Sequence, residues 1–326
     1  MKIAIVTGIY NEEKHIRELI DAVLAQTVKP DEFILVDDGS KDKTAEIVKE
    51  YAEKNPWIKY YYQENAGPAS ARNRAWKNST SDICIFTDGD CVPNNNWIEK
   101  LIQPFSDETV GAVAGTYRTV NVQSLLARFI GLEIGWKHSR YGRTIKVHGT
   151  YNLAVRKSVL EEIGGLDESY PVPSGEDWDM TYKIAKKYKI VFAPEAIVGH
   201  YHPEKFWPYM KNQVRRGLDR VKVYKDHPNL AKGDDYTPWF VKYQVAAALF
   251  FPFSLLFLFP WFEFSYIIPL VTVLIIITTS LPPVIYFFQR DKKVAFYSLF
   301  IQISRNFAWA WGMVKGLIQK IYAKKQ

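Results

Sequence analysis

The first ninety residues alternate short β-branched and aromatic runs with longer stretches of helical period, a pattern that few folds accommodate. Ile3 to Val6, Glu32 to Val36, Ile58 to Tyr62 and Ile83 to Phe86 read as strands; Glu12 to Gln26, Lys43 to Lys54 and Pro68 to Asn78 read as helices. Repeated βα units imply a mostly parallel sheet with helices on both faces, and such sheets bind ligands in the crevice outside the carboxyl ends of their strands. Three loops on that edge carry polar sets: Tyr10-Asn11-Glu12, Asp37-Asp38-Gly39-Ser40 and Asp88-Gly89-Asp90. Further on the pattern is mixed. Strands are expected near Ala112 to Tyr117, Ile145 to Val155 and Lys189 to Phe192, and helices over Ser124 to Trp136, Lys157 to Ile163 and Asp177 to Tyr188.

Asp88-Gly89-Asp90 follows a buried-type strand and sets two carboxylates side by side where the sheet meets solvent. Carboxylate oxygens are hard ligands that suit Mg²⁺ or Mn²⁺, with substrate phosphates and water completing the shell. The plain alternative is a turn, since Asp and Gly both favour turns. Asp37-Asp38-Gly39-Ser40 ends another strand; an acid there can accept bonds from a nucleobase or ribose, or serve a turn and helix cap. Arg72, on the first turns of the helix after Gly67-Pro68, offers forked donors to phosphate or pairs with an acid. Cys84 and Cys91 flank the paired aspartates too closely for a useful disulfide and read as free thiols of a reducing compartment.

In this order the motifs resemble the inverting, GT-A type nucleotide-sugar glycosyltransferases of family 2. The resemblance rests on Tyr10-Asn11-Glu12, Val36-Asp37-Asp38-Gly39-Ser40, Asn65-Ala66-Gly67 with Ala71-Arg72-Asn73, and Asp88-Gly89-Asp90. It continues through Gly149 to Arg156, Gly164-Gly165-Leu166-Asp167-Glu168 and Gly175-Glu176-Asp177-Trp178-Asp179, covering residues 1 to about 220. It implies a nucleotide-sugar donor, with Asp38 at the base and Tyr10 and Glu12 lining the same pocket. Asp88 would contact ribose or sugar, Asp90 would ligate Mg²⁺ or Mn²⁺, and Asp177 of the Glu176-Asp177 pair would be the catalytic base. Two acids at a helix start sit in positive backbone potential, which favours the ionised form a base needs. His200 is a candidate third metal ligand after Asp90 and Asp88, or a structural histidine. Gln213-Val214-Arg215-Arg216-Gly217 resembles the Q-x-x-R-W element of processive polysaccharide synthases with Gly217 in place of Trp, which argues against polymer threading; Arg215 or Arg216 remain candidates to neutralise the departing diphosphate.

Beyond Pro238 the composition changes abruptly. Trp239 to Phe259 holds one charge, Lys242, and Tyr266 to Phe288 holds none, so each can cross a hydrocarbon layer. The intervening Pro260-Trp261-Phe262-Glu263-Phe264 lacks Lys and Arg, whereas Arg290, Lys292 and Lys293 follow the second run; the positive-inside tendency then places both chain ends in the cytosol. Val294 to Tyr322 reads as an amphipathic interfacial helix, Phe296, Leu299, Ile303, Phe307, Trp311, Val314, Leu317 and Ile321 facing away from Gln302, Arg305, Asn306, Lys315, Gln319 and Lys320. Phe206 to Lys225, basic with aromatic anchors, suits a membrane surface or a solvated face. No leader peptide precedes the first strand, so the first domain is expected to stay cytosolic.

The expected architecture is therefore α/β: a GT-A domain with a mixed, mostly parallel sheet over 1–237, a two-span hairpin over 238–290 and a surface helix over 291–326. The formal net charge of +7 accompanies no nucleic-acid motif and points to membrane lipids. The favoured reaction moves one sugar from a UDP- or GDP-sugar to a hydroxyl of a polyprenyl- or dolichyl-linked saccharide at the cytosolic membrane face. The alternatives are a polyprenyl- or dolichyl-phosphate sugar synthase and a non-catalytic nucleotide-sugar-binding scaffold. Acceptor capture, simple tethering and a homodimer are the alternative uses of the apolar helices.

Overall fold

The computed structural model describes residues 1–170, 175–258 and 266–323. In chain order its elements are β1 (Ile3–Ile9), α1 (Ile16–Leu24), β2 (Glu32–Asp37), α2 (Thr44–Lys54), β3 (Ile58–Tyr62), α3 (Pro68–Lys77), β4 (Ile83–Thr87), β5 (Cys91–Pro93), α4 (Trp97–Ile102), β6 (Val110–Thr119) and α5 (Leu125–His138). They continue with β7 (Thr144–Ile145), β8 (Asn152–Arg156), α6 (Lys157–Ile163), α7 (Glu176–Ala185), β9 (Lys189–His200), α8 (Phe206–Asp226), α9 (Val241–Ser254), α10 (Ile267–Phe288) and α11 (Lys292–Ala323). The chain packs as two units, one of 1–120 with 140–201, the other of 121–139 with 202–326. This division differs from the boundary read from composition. Helix α8 is amphipathic, and apolar residues of α5 and α8 pack with the C-terminal helices around Phe129, Tyr209, Met210 and Phe287.

In the first unit the strands form one sheet in the order β3-β2-β1-β4-β8-β6-β9-β5, with β7 paired to β9. β1 to β4 are mutually parallel where they pair, as expected, but β8 runs antiparallel to both β4 and β6, and β5 and β7 run antiparallel to β9. Strand periodicity divides the core cleanly. Ile3, Ile5, Phe33, Leu35, Ile83 and Ile85 face α1, whose Ile16, Leu19, Ile20 and Val23 recur at helical spacing on one side. Ala4, Val6, Ile34, Val36, Cys84 and Phe86 pack on the other face with Ala71, Ala75 and Trp76 of α3. The order reverses at β1, between β2 and β4, which opens the crevice at their carboxyl ends. The strand expected over Ile145 to Val155 is two strands, β7 and β8, with a turn at Thr150-Tyr151 just before β8, and β5 and α4 had no sequence signal.

In the second unit α9 with its short continuation, over Val241–Leu258, and α10 are long and apolar enough to cross a membrane. The link expected between them, Pro260 to Phe264, lies outside the described residues. Helix α11 is amphipathic as expected, with its polar side turned inward. Ser298, Gln302, Arg305 and Asn306 are buried, Arg305 pairing with Glu133 of α5, while Phe296 (78 % exposed), Phe300, Trp311 and Leu317 face outward. Of the α8 aromatic and apolar residues, Trp207 is exposed and Phe206 half-buried, whereas Tyr209 and Met210 are core residues.

The glycine at 217 has a packing cause. A side chain there would collide with the backbone carbonyl of Trp309, one at Gly312 would collide with the carbonyl of Val214, and the Trp309 indole Nε1 donates to Gln213 Oε1 at 2.9 Å. Helices α8 and α11 thus touch backbone to backbone. Gly217→Trp, which completes the synthase-like motif, is expected to destabilise the second unit by about 1–3 kcal/mol or more through overpacking. Thermal unfolding followed by circular dichroism in detergent checks this; an unchanged midpoint would refute the seam.

Candidate active site

Three loops at the carboxyl ends of β1, β2 and β3 are stitched together before any side chain meets a ligand. Asn11, at φ 56°, donates its N–H to Ser40 Oγ and accepts from Lys41 N through Oδ1, a left-handed conformation that Asn tolerates. Asp37 is the turn acid: its carboxylate accepts from Ser40 N and from the Tyr60 hydroxyl, both at 2.8 Å. Asp38 accepts from Gln63 Nε2, Ala66 N and Gly67 N at 2.8–2.9 Å, which fixes the Asn65-Ala66-Gly67 loop against the end of β2. Both acids of that pair therefore have structural partners, and Asp38 stands at the crevice with its carboxylate already bonded. Tyr10 is exposed at the mouth.

Arg72 is the centre of the site. Buried on α3, its Nη2 donates to Asp88 Oδ1 at 2.8 Å, its Nη1 donates to Glu176 Oε1 at 3.1 Å, and Nη1 lies 4.0 Å from Asp177 Oδ1. One guanidinium thereby joins the loop after β4 to the start of α7, 104 residues apart in sequence for the Glu176 contact. The planar fork suits this because its donors diverge at fixed angles. Asn73 fastens the same helix to the Gly164 to Glu168 loop: its amide nitrogen donates to Leu166 O and Glu168 Oε1, and its oxygen accepts from Leu166 N and Trp76 Nε1.

Glu176 is fully buried, its second oxygen accepting from Gly175 N at 3.0 Å. Asp177 keeps 23 % of its side chain exposed and accepts from the Thr150 hydroxyl at 2.8 Å. Its pKa is pushed up to about 7 by burial first and then by Glu176, against the opposing Arg72 charge. This reverses the electrostatic expectation from sequence. The backbone potential at a helix start is a modest term, and desolvation beside a second carboxylate outweighs it.

The Asp90 side of the crevice is built by β5. Its residue Cys91 lies directly opposite His200 of β9 in the antiparallel register, so the two side chains share a face. His200 Nε2 comes within 3.5 Å of Asp90 Oδ1, with the Tyr117 ring edge-on at 4.9 Å. One donor atom each from Asp90, Cys91 and His200 falls within 4.8 Å of the others. Asp88 is outside that trio and is held by Arg72. The Glu12 side chain lies over Gly89, whose hypothetical Cβ would sit 2.7 Å from Glu12 Cγ. Burial, then Asp90 and Asp88, push the Glu12 carboxyl up to about 8, and burial also raises Asp90. Carboxyls so crowded form a cation-attracting corner, and its oxygen and nitrogen donors fit a divalent metal. Arg215 and Arg216 are exposed on α8 of the second unit.

A mixed sheet opening at β1 and β4, with an acid-lined crevice at that edge, defines an α/β domain of GT-A-like class. Residues 4–164 match Glycosyl transferase family 2. Among similar proteins, "Probable glycosyltransferase YdaM" of Bacillus subtilis is 32 % identical over 68 % of this chain and 56 % of its own length. Glycosyltransferase AglE of Haloferax volcanii is 28 % identical over 68 % of this chain and 74 % of its own. The poly-beta-1,6-N-acetyl-D-glucosamine synthase of Staphylococcus aureus is 29 % identical over 63 % and 51 %. The chain thus spans about half the length of the first and third of these relatives. A solved mannosyltransferase from Pyrobaculum calidifontis, bound to GDP-mannose and Mn²⁺, superposes with a TM-score of 0.63 at 20 % identity over 98 % of this chain and 88 % of its own.

Proposed function

We propose that this chain is a membrane-associated glycosyltransferase that moves one sugar, with inversion, from a nucleotide sugar to a hydroxyl of a lipid-linked saccharide. The observation that carries the reading is the Arg72 bridge, which fixes Asp88 on one side of the crevice and Glu176-Asp177 on the other. Asp177 is the base: it retains exposure, and the Thr150 hydroxyl bond orients its carboxylate. Glu176, enclosed and bonded through both oxygens, is a positioning residue that holds Arg72. Asp38, Tyr10 and Glu12 line the donor end. Asp90 and His200 would hold Mg²⁺ or Mn²⁺, which when bound supplies positive charge to the leaving diphosphate. The Mn²⁺ and GDP-mannose of the Pyrobaculum enzyme support that assignment.

The acceptor oxygen attacks the anomeric carbon from the side opposite the nucleotide, and Asp177 takes its proton. A hydroxyl needs such a base, whereas a lipid phosphate is already ionised, so the Asp177 environment favours the saccharide acceptor over a polyprenyl phosphate. The outward-facing apolar residues of α9, α10 and α11 support a bilayer location, and the charge flanking α10 supports a cytosolic catalytic unit.

Donor binding is expected to need metal. With Mn²⁺ present, a cognate nucleotide sugar at a hundred times its Kd should stabilise the fold by about 2.7 kcal/mol, and EDTA should abolish the shift. Screening UDP and GDP donors by thermal unfolding checks this. A chelator-insensitive shift would remove the metal from the reading, and no shift with any nucleotide sugar would remove the donor.

A further inference from the structure

The cross-strand pairing that brings His200 to Asp90 also brings a sulfur. Cys91 stands opposite His200 on the adjoining strand, its thiol within 4.8 Å of both an Asp90 oxygen and a His200 nitrogen and 3.9 Å from the Tyr151 carbonyl oxygen. A site for Mg²⁺ alone has no use for sulfur, because Mg²⁺ selects oxygen; a carboxylate, an imidazole and a thiolate together are the donor set of Zn²⁺, Co²⁺ or Cd²⁺. Three protein ligands with an open fourth position are also the composition of a non-structural zinc site.

We propose that Asp90, Cys91 and His200 form a site for a borderline or soft divalent cation, which displaces Mg²⁺ or Mn²⁺ and holds the enzyme inactive until it is removed. The inference rests on the proposed role of Asp90 and His200 and adds Cys91 to it. Binding forms a metal–sulfur bond and releases the thiol proton to water, with no change of oxidation state. Asp90 and His200 without it offer an oxygen and a nitrogen; the sulfur of Cys91 shifts the site's preference toward softer ions. Asp90 and His200 side chains are partly exposed, so an ion can reach the buried sulfur from the crevice.

Co²⁺ titrated into the full chain in detergent, without donor or acceptor, should give a thiolate-to-cobalt charge-transfer band in the near ultraviolet. The band should vanish in Cys91→Ala and Cys91→Ser and persist in Cys84→Ala. Zn²⁺ affinity by calorimetry should fall in Cys91→Ser by at least about 10–100-fold, the range seen when even groups behind metal ligands are lost. Should Cys91→Ala fail to fold, the near-isosteric serine carries the test. No band in the wild type, or a band that survives in Cys91→Ser, overturns the proposal. The optical readout needs no turnover: a band in a protein that transfers no sugar leaves this site standing and defeats the proposed function, and Mn²⁺-dependent transfer with no band does the reverse.

Discussion

Asp177→Asn is expected to lower kcat for transfer to a saccharide hydroxyl by about 10²–10⁴-fold, the usual contribution of a general base, while leaving nucleotide-sugar binding in place. The amide keeps the size of the carboxylate and can still meet Thr150, so the loss isolates proton removal. The pH profile gives an independent check. A carboxyl raised to about 7 is protonated below that pH and works only when ionised, so the wild-type rate should fall as pH drops through about 7 and level off above it. That limb should be absent from the residual activity of Asp177→Asn. Full transfer to a hydroxyl acceptor by the variant would refute the assignment; transfer retained only to a polyprenyl phosphate would move the enzyme to the lipid-phosphate class.

The largest effect on stability is expected at Arg72. Arg72→Ala leaves Glu176 enclosed without a cation and sets Asp88 and Asp177 facing it, and breaking a buried pair from one side costs about 3–5 kcal/mol. Arg72→Lys should recover little, because a single ammonium cannot direct donors to both Asp88 and Glu176 along fixed diverging lines. Equilibrium unfolding of the two variants checks this. A lysine variant as stable as wild type would show that charge alone, without the fork, holds the crevice together.

The βα units of the first ninety residues were legible because their signal is local: period-two runs for strands, period-3.6 runs for helices, and Gly or Pro between them. The Arg72, Asp88 and Glu176-Asp177 positions were legible as motifs, but their mutual bonding was not, since it joins α3, the loop after β4 and α7. β5 escaped notice because three residues carry no periodicity; only its pairing with β9 makes it a strand, and that pairing is what puts Cys91 and His200 together. The approach of Glu12 to Gly89 was not legible either, because it joins two loops far apart in sequence. The Asp177 error was one of magnitude: a sequence shows the helix start but not how much water its side chain loses. Helix α11 revealed its two faces in sequence, and only the packing of Glu133 and Gln213 against it revealed which one turned inward.

That inward turn changes what holds the helical unit together. In the proposed bilayer location hydrocarbon tails would solvate the exposed Phe296, Phe300 and Trp311, so these residues would contribute no cohesion between helices. The work falls to the Arg305–Glu133 contact, the Trp309–Gln213 bond and the backbone seam at Gly217 and Gly312. Separating these helices within lipid would wet almost no oily surface, and the heat capacity of that step should be close to zero, quite unlike the melting of the sheet.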